Sequence, residues 1–270
     1  MSNVQNQDLR VFSDHSVLSK HLFKSSFKHH LILVTHKNGT SPSWLINALV
    51  ETHIFGAPVY LNESQRSVWD KHAANDGEKA ISVASFYHDA DYFTSAFAKL
   101  KLDPSRYRVL DFLTNFAVRS DEKSSDQLLQ EIIDAVGQSG TDTVILEQPE
   151  LLMPLLDLGS DELHFKLISP LARKVSLLII VMNTEGYEHN DIAEYQRRDA
   201  TELTRFAMAC FHKSTAVLGL KPLESGRADD VTGILRVSRG PALAKSFPVH
   251  VVENEYLFLT KKGSTKLFYR

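Results

Sequence analysis

Among the 270 residues there is one cysteine, Cys210, so no disulfide can close within the chain, which suits a reducing compartment. Long hydrophobic runs are also missing. The longest, Leu177–Met182, is far short of the ~20 apolar residues that span a bilayer. Met1–Arg10 is polar and lacks the apolar centre of a signal peptide, which predicts a soluble intracellular protein without membrane partners. There is no excess of positive charge: 30 Lys and Arg face 33 Asp and Glu, a formal net charge of −3, so any binding of nucleic acid must come from a local patch or from partners. Chemical signatures are absent too. No G-x-S-x-G elbow, H-E-x-x-H pair or converging zinc set occurs, and the 12 histidines are scattered apart from His29-His30.

What is present is an ordinary globular composition, 43% hydrophobic and 23% charged, in a chain long enough to bury roughly three quarters of its surface. Strand-like and helix-like runs alternate. Leu31–Thr35, Ile81–Phe86, Arg106–Phe112, Thr143–Glu147 and Leu177–Met182 are short apolar runs of the kind found in strands covered on both faces. Between them, Ser41 as cap and Pro42 as first residue open a helix that Gly56 and Pro58 stop. A second helix starts near Asp91 with Tyr92, Phe93, Ala96, Phe97 and Leu100 inward. A third follows the capping box Ser124-x-x-Gln127, carries Leu128, Leu129, Ile132, Ile133 and Val136 on one face, and ends at Gly137. Ser160–Lys174 is a further helix, irregular near Pro170, and Leu203–Phe211 is helix-like with Cys210 in its core face. Asn62–Lys79, Arg119–Ser125 and Asn183–Asp191 read as loops, none long enough to divide the chain, so residues 1–270 are expected to form one domain.

Beyond residue 230 the pattern changes. Val231–Ser238, Val249–Val252, Tyr256–Thr260 and Lys266–Arg270 leave little room for helices and read as antiparallel strands added to a sheet edge. The expected fold class is therefore α/β and RecA-like: a largely parallel central sheet flanked by helices, with antiparallel C-terminal strands.

That fold normally carries G-x-x-x-x-G-K-[ST] after its first strand, where backbone amides and a lysine hold phosphate. Here the loop is His36-Lys-Asn-Gly-Thr-Ser-Pro-Ser43. Gly39 is its single glycine, Lys37 precedes that glycine instead of standing at the helix entrance, and Pro42 removes an amide. Glu147 ends a hydrophobic strand where a magnesium-side carboxylate would stand, with Glu150 close behind. Lys37, Gly39 and Glu147 are thus the candidate nucleotide-binding residues. The alternative reading is a plain strand–helix connection and an ordinary hydrogen-bonded strand end.

Several segments together resemble the sixth-subunit family of Elongator, the complex that modifies wobble uridines in tRNA, and its fungal, yeast-type members in particular. They are His250-Val-Val-Glu-Asn-Glu-Tyr-Leu257, Ser264-Thr-Lys-Leu-Phe-Tyr-Arg270, Asn47-Ala-Leu-Val-Glu-Thr-His53, Leu61-Asn-Glu-Ser64, Glu147-Gln-Pro-Glu-Leu-Leu152 and Asp230-Val-Thr-Gly233. The resemblance implies a RecA-like fold without the usual nucleotide motifs and assembly with the fourth and fifth subunits into a hetero-hexameric ring. It further implies that the ring binds tRNA and hydrolyses ATP, in the cytoplasm and nucleus, while another subunit of the catalytic Elongator core performs the radical and acetyl-transfer chemistry. No cofactor is then expected on the isolated chain, and ATP at ring interfaces only.

In RecA-like rings the loops after the two central strands face the axis. The loop after Glu147, Gln148–Glu162, is apolar and acidic, a poor phosphate partner. The one after Met182 carries Tyr187 and His189, with Arg197-Arg198 shortly beyond. These four are the candidate tRNA contacts, because arginine bridges phosphates and tyrosine stacks on unpaired bases. The competing class is an active RecA-type ATPase or recombination paralogue with an atypical nucleotide site.

Overall fold

The computed structural model describes residues 6–24, 29–61, 80–114, 123–185, 194–224, 226, 228–243, 245–261 and 264–269, with 194–197 described in backbone alone. Among the described residues nine strands form a single sheet: β1 (His30–His36), β2 (Ile81–Ser85), β3 (Tyr107–Asp111), β4 (Thr143–Glu147), β5 (Leu177–Asn183), β6 (Ala216–Lys221), β7 (Gly233–Arg239), β8 (Asn254–Lys261) and β9 (Ser264–Tyr269). Their order across the sheet is β3-β2-β4-β5-β1-β6-β7-β8-β9. The pairs from β3 through to β6 are parallel, and β6 to β9 are antiparallel. This is the α/β arrangement that the sequence pattern predicts.

The connecting helices are α1 (Ser43–Phe55), α2 (Ala90–Lys99), α3 (Ser125–Gln138), α4 (Leu152–Leu156), α5 (Ser160–Leu163), α6 (Ser169–Lys174) and α7 (Glu194–Lys213). Successive strand residues point to opposite faces, so each central strand feeds two cores. Ile32 and Val34 of β1, Ile145 of β4 and Ile179 of β5 pack with α1, α2, the N-terminal segment and the C-terminal strands. Leu31, Leu33, Leu146 and Ile180 pack on the other side with α3 to α7. Both faces of β2, β4 and most of β5 are buried, which is why those segments are apolar without alternation.

Several local expectations are met. Ser124 and Gln127 form the capping box at the start of α3, and Cys210 is wholly buried, its thiol pushed up by desolvation. Others need correction. Strand β6 has no counterpart in the expected element order. Val249–Val252 supplies only an isolated bridge, Phe12 with Val251, because its neighbour is the N-terminal segment instead of a strand. Gly137 lies inside α3, and the positive φ falls at Gly140. Helix α1 begins at Ser43 with Pro42 in the cap position, although the Ser41 hydroxyl still accepts from the Ser43 amide. The irregularity expected near Pro170 is a π turn, His164–Ile168, joining α5 to α6. Tyr92 is 38% exposed, not inward, for a reason found at the site below. The predicted loop Asn62–Lys79 lies outside the described residues.

Candidate functional site

The C-terminal ends of the parallel strands form a mouth, the usual ligand position in open α/β sheets. Strand bonding runs one residue past the strands there: the Phe86 amide donates to the Glu147 carbonyl, Gln148 to Val181 and Thr184 to His36. Between the β1–α1 loop, the β2–α2 loop and the ends of β4 and β5 lies a cleft of about 440 Å³. Lys37, Gly39, Tyr87, His88, Gln148 and Asn183 are among the residues that line it.

The β1–α1 loop is a tight turn. The Thr40 amide donates to the Lys37 carbonyl at 3.0 Å, closing a four-residue turn whose third position, Gly39, has φ +87°. The Thr40 hydroxyl donates to the same carbonyl. The Asn38 amide donates to Glu185 Oε2 at 3.1 Å, and the Ser43 amide to Ser41 Oγ at 3.3 Å. Each of these three amides already has a partner, and one of those partners is a carboxylate. The structure thus brings Lys37 and Gly39 to the cleft wall in a loop three of whose amides are engaged within the protein.

Glu147 ends β4 with no exposed surface. Its Oε2 accepts from Ser85 Oγ at 2.6 Å and its Oε1 lies 2.8 Å from His88 Nδ1. Ser85 Oγ in turn accepts from the amides of Tyr87 and His88, fixing the β2–α2 loop. The ring of His88 is stacked on Tyr92, 3.7 Å between centroids and 6° from parallel, and the Tyr92 hydroxyl meets Ser43 Oγ at 2.5 Å. Tyr92 is therefore drawn outward to clasp the histidine and the start of α1. Glu147 sits behind His88 and does not line the cleft.

Glu150, on the turn after β4, is the most perturbed acid here. Gln148 before it takes a left-handed φ of +52°, a conformation that costs a non-glycine residue of order 1 kcal/mol and turns Glu150 inward. The Asn183 amide donates to Glu150 Oε1 at 2.8 Å, while Oε2 has no partner among the described residues. Burial pushes Glu150 up to about 8, against the Asn183 amide and helped by the negative charge of Glu147. Burial thus favours its protonated form at neutral pH. Burial also lowers His36 below the ordinary histidine range.

The candidate tRNA contacts fall elsewhere. Tyr187 and His189 lie outside the described residues, as does the side chain of Arg197. Arg198 is exposed in the first turns of α7, so the arginine pair belongs to a helix. Among the described residues no group of three His, Cys, Asp or Glu could hold a metal ion, and no helix is long and apolar enough to cross a membrane. Two groups escaped the sequence reading. His88 and Glu185 stand in loops 59 and 147 positions from their partners, and no spacing in the chain announces either.

No protein-family model matches the chain. Among solved structures, flagellar accessory protein FlaH from Methanocaldococcus jannaschii is similar in fold, with a TM-score of 0.52 and 11% identity over 90% of this chain and 91% of that one. That likeness agrees with the RecA-like class. In sequence the chain is 44% identical over 280 aligned positions to Elongator complex protein 6 of Saccharomyces cerevisiae, covering 100% of both. With that identity over its whole length, the chain belongs to the Elongator complex protein 6 family.

Proposed function

We propose that this chain is a non-catalytic subunit of the hetero-hexameric RecA-like ring of Elongator, acting as one domain with subunits four and five to support tRNA binding and release during wobble-uridine modification. The full-length identity to Elongator complex protein 6 carries the reading. The site geometry supports its non-catalytic part. A triphosphate needs several convergent amides and a lysine, and here the Asn38, Thr40 and Ser43 amides are engaged within the protein. ATP then belongs to interfaces of the assembled ring in the cytoplasm and nucleus. Co-expression with subunits four and five is the direct test: a ring containing all three is expected, and a chain that purifies alone under those conditions overturns the assignment.

Two further expectations arise here. The purified chain alone is expected to show no steady-state ATP turnover above background. A robust turnover that Glu147→Gln abolishes would restore the ATPase alternative. For tRNA, Arg197 and Arg198 remain the proposed phosphate partners, with Tyr187 and His189 beside them in sequence. Removing one cation from a phosphate lowers the salt slope of binding by about 1. Arg197→Ala/Arg198→Ala in the intact ring should therefore weaken tRNA binding at low salt and flatten its salt dependence. Unchanged affinity with an unchanged slope removes this pair from the tRNA path.

A further inference from the structure

We propose that the cleft between the β1–α1 and β2–α2 loops is a site for one nucleotide, its base stacked on Tyr87, and that an unpaired nucleotide of tRNA is its occupant. The inference rests on the tRNA-binding reading above and gives it a location that the arginine pair does not.

Four observations carry it. First, the cleft, about 440 Å³, lies within the roughly 300–1,000 Å³ typical of small-ligand sites and suits a mononucleotide. Tyr87 lines it and is 52% exposed, an unusual position for an aromatic ring that follows a wholly buried strand. Exposed aromatic faces at such a mouth are the stacking platforms of single-strand binders. Second, the platform is rigid. The Tyr87 amide is held by Ser85 Oγ, and its ring meets His88 edge-on at 4.6 Å. His88 is itself fixed between Glu147 and Tyr92. Third, Gln148 brings a carboxamide, a group with both donors and an acceptor for a base edge, to the wall; beside it Asn183 Nδ2 donates to Asn38 Oδ1 at 3.1 Å and Asn183 Oδ1 accepts from the Glu185 amide, so that pair would have to open to join in. Fourth, the electrostatics suit one phosphate and not three. Lys37 is the one lysine or arginine among the described lining residues, and the Glu185 carboxylate already occupies the Asn38 amide.

The shared chemistry admits a free mononucleotide as a second source, and the experiment separates the two. The full-length chain is assembled into its ring and titrated with tRNA, with a fully paired RNA duplex, and with AMP and UMP, the last two followed by saturation-transfer NMR. Stacking on one aromatic is worth ~1–3 kcal/mol per base. Tyr87→Ala is therefore expected to weaken tRNA binding about tenfold, with duplex binding and the salt slope unchanged, and Tyr87→Phe to restore wild-type affinity. Being half exposed, Tyr87 can be truncated without a core cavity, and an unchanged melting temperature checks this. Loss of AMP and UMP signal in Tyr87→Ala with intact tRNA binding upholds the site but overturns tRNA as its occupant in favour of a free nucleotide. Unchanged binding of both overturns the site while leaving the tRNA reading in place. A wild-type ring that fails to bind tRNA overturns that reading instead, and the mononucleotide titration still decides the cleft.

Discussion

Replacing Glu150 by glutamine is expected to remove a decline in stability, worth about 4–8 °C in melting temperature, that the native protein shows between pH 6.5 and pH 8. Folded Glu150 titrates near 8 against an ordinary value of 4.5, so between those limits the folded state holds a proton that the unfolded chain has released. Stability is then fully present below 4.5 and is lost as pH rises toward 8, at ~1.4 kcal/mol per unit. His164 works in the opposite sense. Burial lowers it from 6.5 to about 4, so its contribution is lost as pH falls through that window. Between 4.5 and 6.5 the two slopes cancel. Above 6.5 only Glu150 remains, and 1.5 units amount to roughly 2 kcal/mol, or about 4–8 °C for a chain of this size. Glutamine copies the protonated acid in shape and cannot ionise, so thermal melts of both proteins from pH 5 to pH 8 should converge at the acid end and separate at the basic end. Parallel curves would mean that Glu150 is ionised throughout and has found a partner for Oε2.

The parts of this fold that were legible in the sequence are those where local pattern and burial coincide. β1, β4 and β5 are continuous apolar runs because helices cover both their faces, and the Ser124–Gln127 box states its own helix start. β6 was not legible. Gly219 interrupts its apolar residues, and it is a strand because β1 and β7 pair with it on either side. A Cβ at Gly219 would meet Thr35 Oγ1 at 3.4 Å, an ordinary contact, so the residue that hides the strand locally is not demanded by its pairing. The α7 register was legible only from Leu203 on, since the residues before it are mostly polar in sequence.

The site divides in the same way. Glu147 is conspicuous as a carboxylate closing a hydrophobic strand, and its place at the mouth follows from that alone. Its bonding does not. Whether a strand-end acid faces a ligand or is consumed internally depends on Ser85 and His88, which reach it across the β2–β4 pairing. Tyr92 shows the corresponding failure of periodicity. Helical spacing puts it with Phe93 and Ala96, but the His88 ring and the Ser43 hydroxyl hold it at the surface. In each case the deciding partner is distant in sequence, and residue type with spacing carries no information about it.

Deleting Ser264–Arg270 is expected to lower the melting temperature by about 10–20 °C or to prevent folding, and to abolish ring assembly with it. β9 pairs with β8 from Tyr256 to Lys261, and Leu267 is completely buried while Phe268 is 9% exposed. It also anchors the start of the chain: the Gln7 amide donates to the Leu267 carbonyl at 2.8 Å, and Asn6 bridges Phe268. Beneath it Tyr256 and Phe258 are buried in the core that α1 shares, and Tyr256 ties the N-terminal segment through its hydroxyl to the Arg10 carbonyl. Losing the buried Leu and Phe side chains alone removes about 3–6 kcal/mol, a large part of the ~5–15 kcal/mol that holds a domain together. The deletion also frees the N-terminal segment and leaves the backbone edge of β8 unpaired, open to association with other chains. Point variants separate packing from simple truncation. Leu267→Ala should cost roughly 2–5 kcal/mol, and Tyr269→Ala, whose ring is 64% exposed, well under about 1 kcal/mol. Thermal melts of the three variants, with size-exclusion chromatography after co-expression with subunits four and five, give the comparison. A truncated chain that melts with the native protein and still enters a full ring would show that the sheet is complete at β8.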